Sequence, residues 1–184
     1  MNFRSILFSV FFSAFAASAF AQANINKNHL AANFSPAVNR STGYSERSAI
    51  VVSMEQQAFQ VLNAKREQIG LSTLEWNDEI AKLARMHSEN MAGSKFFNHT
   101  DLDGRTVDER AERVGLVEWK AIGENIAYLR GHKNPAEAAV ENWMKSTGHR
   151  QNVLNERYNQ SAVGVAVAAD GSYYFTQVFM LRGN

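Results

Sequence analysis

The chain switches its hydrophobic period near the carboxyl end, and that switch limits the fold more than any single motif. Most apolar residues before it recur at helical spacing, whereas "SAVGVAVA" and "SYYFTQVFML" are β-branched or aromatic runs separated by "ADG". Asp170-Gly171 between two such runs predicts a tight hairpin, because this turn needs residues that accept positive φ. "WKAIGENIAYL", Trp119 to Leu129, reads as a further strand. Helices first and antiparallel strands afterwards give an α+β class with helices packed on a sheet.

Caps place the helices. "SMEQ" at Ser53 to Gln56 is a capping box that predicts a helix start, followed at helical spacing by Met54, Ala58, Val61, Leu62 and Lys65 and closed by Gly70. A second helix runs from about Asp78 to Ala92, with Ile80, Leu83, Ala84, His87 and Met91 on one face. "TVDE" at Thr106 to Glu109 opens a short helix that Gly115 ends. "NPAE" at Asn134 to Glu137 puts proline in the first turn of a helix that continues through Trp143. No internal repeat is present.

The amino-terminal "MNFRSILFSVFFSAFAASAFAQA" has one basic residue, an apolar run and small-x-small sites, which is the pattern of a secretory signal peptide cut near Ala21 or Ala23. Residues 1–21 are therefore expected to be a signal segment, 22–52 a poorly ordered tail or linker and 53–184 the domain, with a secreted or periplasmic location and no membrane span left after cleavage. Losing Arg4 reduces the 19 basic residues to 18, equal to the 18 acidic ones. A neutral mature chain gives no reason to expect nucleic acid or another polyanion as partner. The chain has no cysteine. That excludes disulfides, a thiol nucleophile and a lipid-modified cysteine, so stability must come from packing.

No GxSxG, HExxH or phosphate-binding loop is present, and Gly164 sits in a strand with no helix after it. The remaining candidates for chemistry are scattered histidines and acids. His29 lies in the tail, His87 on an apolar helix face as a core imidazole, and His132 among turn formers. His99, in "FFNHTDLDG", and His149, in "GHR", stand at the edges of elements, where a rigid scaffold carries chemistry. Glu124 in "GENIA" is an acid within an apolar strand, costly unless paired. Two imidazoles and a carboxylate meeting in a cleft would hold zinc or another divalent cation with water as fourth ligand, or exchange protons as general acid and base. The bland reading leaves Glu124 as a structural acid. Thr100, Ser146 and Thr147 are hydroxyls near these positions, but none is marked as a nucleophile, so enzymatic activity is left open. "DLDG" lacks the later glycine and closing glutamate of a calcium loop.

Taken in order, "VLNAKREQIGLSTLEWNDEIAKLARMHSENMA", "FFNHTDLDG", "IGENIA", "AVENWMKSTGHRQNVLN" and "VGVAVAADGSYYFTQVF" resemble the bacterial branch of the CAP superfamily, the SCP-like extracellular proteins related to cysteine-rich secretory, antigen 5 and pathogenesis-related proteins. The resemblance implies a three-layer α-β-α sandwich with a central antiparallel sheet and a cleft lined by two histidines and two acids. By motif these fall on His99, Glu124 and His149, whereas the fourth position is Ser146, so the acid pair is incomplete. Asn125, Ser146 and Gln177 are expected to line the cleft, and Asn63 and Arg66 of "NAKR" to be structural. Three functions follow for such a domain. The first is an exported module binding a divalent metal or small ligand at the cell envelope or outside the cell. The others are a metal- or His/Glu-dependent hydrolase and a lipid-binding or structural envelope protein.

Overall fold

The computed structural model describes residues 40–183; the expected signal segment and the first part of the expected tail lie outside the described residues. In chain order the elements are α1 (Arg40–Glu67), β1 (Glu75–Trp76), α2 (Asp78–Ser94), α3 (Val107–Arg113), β2 (Ala121–Leu129), α4 (Pro135–Lys145), α5 (Thr147–Val153), β3 (Gln160–Val167) and β4 (Tyr173–Leu181).

Most caps act where the sequence puts them. The helix expected from about Asp78 starts there because the side chain of Asn77, not singled out from sequence, accepts from the N–H groups of Glu79 and Ile80 at the start of α2. Glu109 reaches back to the Thr106 N–H at 2.8 Å and opens α3, and Pro135 occupies the first turn of α4. The first helix differs from expectation. It begins at Arg40 rather than Ser53, so Ser53 and Gln56 sit inside a helix and form no cap. Residues 40–52 lack proline, and an existing helix lengthens by one hydrogen bond per residue without a new nucleation cost, so the absence of an apolar period does not stop it.

The sheet order is β1-β3-β4-β2. β3 and β4 form the expected hairpin, with Gly171 at φ +81°, and β2 pairs antiparallel with β4 from Ala121↔Leu181 to Leu129↔Tyr173. Two-residue β1 pairs parallel to β3, so the sheet is not wholly antiparallel. Its shortness gave the sequence no period to show.

Strand alternation divides the core between two helical layers. Leu62 of α1 and Trp143 of α4 pack with Ala127, Val163 and Phe175 on one face, while Ile80, Leu83 and Ala84 of α2 pack with Ala162, Val178 and Met180 on the other. Packing is tightest at Gly164 in β3, where a Cβ would stand 2.1 Å from the Arg85 backbone nitrogen of α2. Polar ties replace the missing disulfides. Asn63 bonds both backbone groups of Leu74, and the buried Arg66 bonds the carbonyls of Ser72, Val153 and Asn155, which makes both residues structural. Buried Glu55 of α1 pairs with Arg85 of α2 at 2.5 Å and accepts from the Val165 N–H, joining both layers to the sheet.

Candidate functional site

The site forms at the outer edge of β2, which pairs with β4 on one side only. Glu124 projects from one face of this strand and Asn125 from the other, as neighbouring strand residues must. Each face therefore brings in one histidine. On the first, His99 donates its Nδ1–H to Glu124 at 2.9 Å. On the second, the Asn125 amide donates to the His149 carbonyl at 3.1 Å, while Asn152 donates to the Asn125 oxygen at 3.0 Å and fixes that amide. The two imidazoles meet around the edge with ring centroids 5.8 Å apart.

Glu124 is not free to serve as a third ligand beside them. Its side chain is 3 % exposed, one oxygen receives His99 and the other receives the Arg110 guanidinium. Arg110 also donates to the carbonyls of His99 and Arg105, so one buried cation holds both the acid and the backbone of the histidine loop. Among the described residues no group of three or more His, Cys, Asp or Glu side chains is arranged to hold a metal ion. The donors that remain are His99 Nε2 and the ring nitrogens of His149, none of which has a protein partner among the described residues. Burial, and then the neighbouring His99, push the His149 imidazole below its ordinary value. At neutral pH this favours the neutral ring, which carries one N–H and one lone pair free for a ligand.

Loop 95–105 is fixed from behind. His87 is buried, and its Nε2–H donates to the Asn98 carbonyl at 2.9 Å, one residue before His99. Burial holds His87 below the usual imidazole value. Asp101 accepts from the Arg105 side chain and from the N–H groups of Asp103 and Arg105, so this loop acid serves its own turn. Phe96 packs on Met91 and Ile126, whereas Phe97 stays half exposed against Tyr128, with centroids 6.3 Å apart. Beside His149 a cleft of about 600 Å³ continues past Ser146, Asn142, Phe97, Tyr128 and Tyr174.

His99, Glu124 and His149 thus come together, and Ser146 lines the cleft. Asn125 and Gln177, expected on its wall, are instead fully buried. They are cross-strand partners on the face covered by α4 and α5, where Asn125 positions His149 and Gln177 donates to Ser161. Thr100 bonds Asn98, Thr147 is exposed, and His132 is exposed in the β2–α4 connection. His29 lies outside the described residues. Arg110 was missed. Its signal was an arginine between Val107 and Ala111 on the inward face of a short capped helix, where a buried acid is the natural partner.

The cysteine-rich secretory protein family pattern, CAP, matches residues 59–179. The chain belongs to the CAP family. It is 38 % identical over 133 residues to the uncharacterized membrane protein YlbC of Bacillus subtilis, covering 72 % of this chain and 36 % of that protein. It is 33 % identical over 130 residues to the uncharacterized protein YkwD of the same organism, covering 71 % and 48 %. Among solved structures, an extracellular SCP-domain protein from Bacillus anthracis superposes with a TM-score of 0.61 at 31 % identity, covering 72 % of this chain and 42 % of that one. The chain spans less than half the length of these relatives. This CAP chain carries the α-β-α fold with no cysteine in its sequence.

Proposed function

We propose that this CAP domain is an exported binding module whose cleft takes a small ligand at the paired imidazoles of His99 and His149, with a divalent cation of the zinc type as the bridging species. The observation that carries this reading is the pair itself, with one ring oriented by a buried Glu124–Arg110 couple and the other held neutral by burial. Zinc accepts imidazole nitrogen in tetrahedral sites, and two protein donors leave positions open for a ligand. Glu124 acts through His99, fixing which ring nitrogen is offered. Export is supported by the signal-like first 21 residues and by the extracellular B. anthracis relative. Among the described residues no helix is long and apolar enough to cross a membrane.

Calorimetric titration of the purified chain with zinc tests the reading. A saturable heat with a raised melting temperature is expected, both lost in His149→Ala. No heat at millimolar zinc, or heat unchanged in that variant, overturns the metal part. A hydrolytic reading is favoured by one feature, the 2.9 Å His99–Glu124 bond, which suits a general base with a fixed tautomer. Hydrolysis of peptides, esters or cell-wall fragments that disappears in both His99→Ala and His149→Ala would establish it.

A further inference from the structure

Building on the cleft as a ligand site, we propose that its ligand is an extended peptide that adds as a strand to the open edge of β2 at Tyr128. In an antiparallel ladder, alternate residues turn their peptide groups toward the partner strand and the others turn them away. Contacts identify the outward set in β2. Asn152 donates to the Glu124 carbonyl at 3.1 Å, and the Trp143 indole donates to the Ile126 carbonyl at 3.0 Å. Tyr128, next in that alternation, turns its N–H and C=O the same way, and neither has a partner among the described residues. Side chains from α4 and α5 thus cap the edge as far as Ile126 and leave it open at Tyr128.

The open point coincides with the cleft, whose lining includes Phe97, Ala127, Tyr128 and Asn142. An adjacent N–H and C=O on a strand edge match the donor and acceptor of another backbone, at the strand separation of about 4.8 Å. Exposed strand edges are usually blunted by proline, bulges or charge. This one is flanked by Phe97 and Tyr128, 49 % and 42 % exposed, which offer apolar contact to the alternate side chains of an added strand. From Tyr128 to Glu124 the strand covers about 14 Å. Past Tyr128 the Trp143 and Asn152 side chains occupy the edge, so an added segment of about five residues makes one pair of backbone bonds at Tyr128 and continues without strand pairing through the cleft that His149 also lines. A saccharide or acyl chain could use the rings but has no need of the Tyr128 amide, and that difference selects the peptide.

The test screens the full chain against an array of unrelated linear peptides of about twelve residues and carries the tightest binder to fluorescence polarisation with wild type, Tyr128→Pro and Tyr128→Val. Both variants lose the phenol ring. Proline alone also loses the outward N–H, at an edge position that tolerates it. Affinity is expected to fall about tenfold further in Tyr128→Pro than in Tyr128→Val. N-methylation of the peptide is expected to abolish binding at the one residue whose N–H bonds the Tyr128 carbonyl and to be tolerated at its two neighbours, and this scan on wild type decides the matter should Tyr128→Pro fail to fold. No bound peptide, equal affinity in two folded variants, or an N-methyl scan with no single sensitive position overturns the proposal. Peptide binding with no zinc heat removes the metal reading and leaves this one standing; zinc heat without peptide binding does the reverse.

Discussion

Replacing Arg110 with methionine removes the cation behind the site while keeping an apolar stem of similar reach. The side chains of Arg110 and Glu124 are 7 % and 3 % exposed, so the pair is screened little by solvent. The variant loses the Glu124 contact and leaves the carbonyls of His99 and Arg105 without their guanidinium donor. Breaking one side of a buried ion pair costs about 3–5 kcal/mol. Glu124 keeps its bond from His99, whose side chain is half exposed, which places the loss near the lower end, about 3 kcal/mol. At roughly 2–4 °C per kcal/mol for a domain of this size, melting should fall by about 6–12 °C. Urea and thermal denaturation at pH 7 measure both quantities. Arg110→Met combined with Glu124→Leu should recover much of the loss, because a buried pair replaced by apolar groups is often close to neutral. A single-variant loss under about 1 kcal/mol, or a double variant as unstable as the two singles added together, would refute the coupling.

Acid should destabilise the fold early. His87 and His149 are both held below the ordinary imidazole value, so the unfolded chain takes up protons at a higher pH than the folded one, and stability falls as pH drops below about 6.5. Melting temperatures between pH 7.5 and 5 should show the decline, and His87→Gln should flatten it despite a lower stability at pH 7.5. Gly164→Ala should cost about 3 kcal/mol or more, since the clashing atoms belong to the α2 backbone and cannot rotate away; a loss under about 1 kcal/mol in urea denaturation would contradict the packing described.

Much of the architecture is written locally. The β3–β4 hairpin follows from Asp170-Gly171 between β-branched runs, and α3 and α4 follow from Thr106, Glu109 and Pro135, because caps and turns act within a few residues. The start of α1 was hidden because propagation from an established helix leaves no apolar stripe in residues 40–52. β1 exists through its pairing with Gln160 and Ser161, a contact that a two-residue run cannot announce. At the site, residue chemistry singled out His99, Glu124 and His149, but facing required the strand: alternation sends Asn125 and Gln177 beneath α4 and α5 while Glu124 turns toward Arg110. The resemblance to the CAP family supplied what spacing alone left open, the convergence of positions far apart in the chain.

The central claim is that two imidazoles from opposite faces of β2 act on one ligand, with Glu124 setting the orientation of the first. Long-range proton–nitrogen correlation spectra of the imidazole rings, recorded at pH 7 before and after zinc, report this directly. The account predicts a proton on His99 Nδ1, and the simultaneous shift of His99 Nε2 and one His149 ring nitrogen as zinc is added. A proton on His99 Nε2 with a bare Nδ1, or zinc moving one ring while the other stays unchanged, would contradict it.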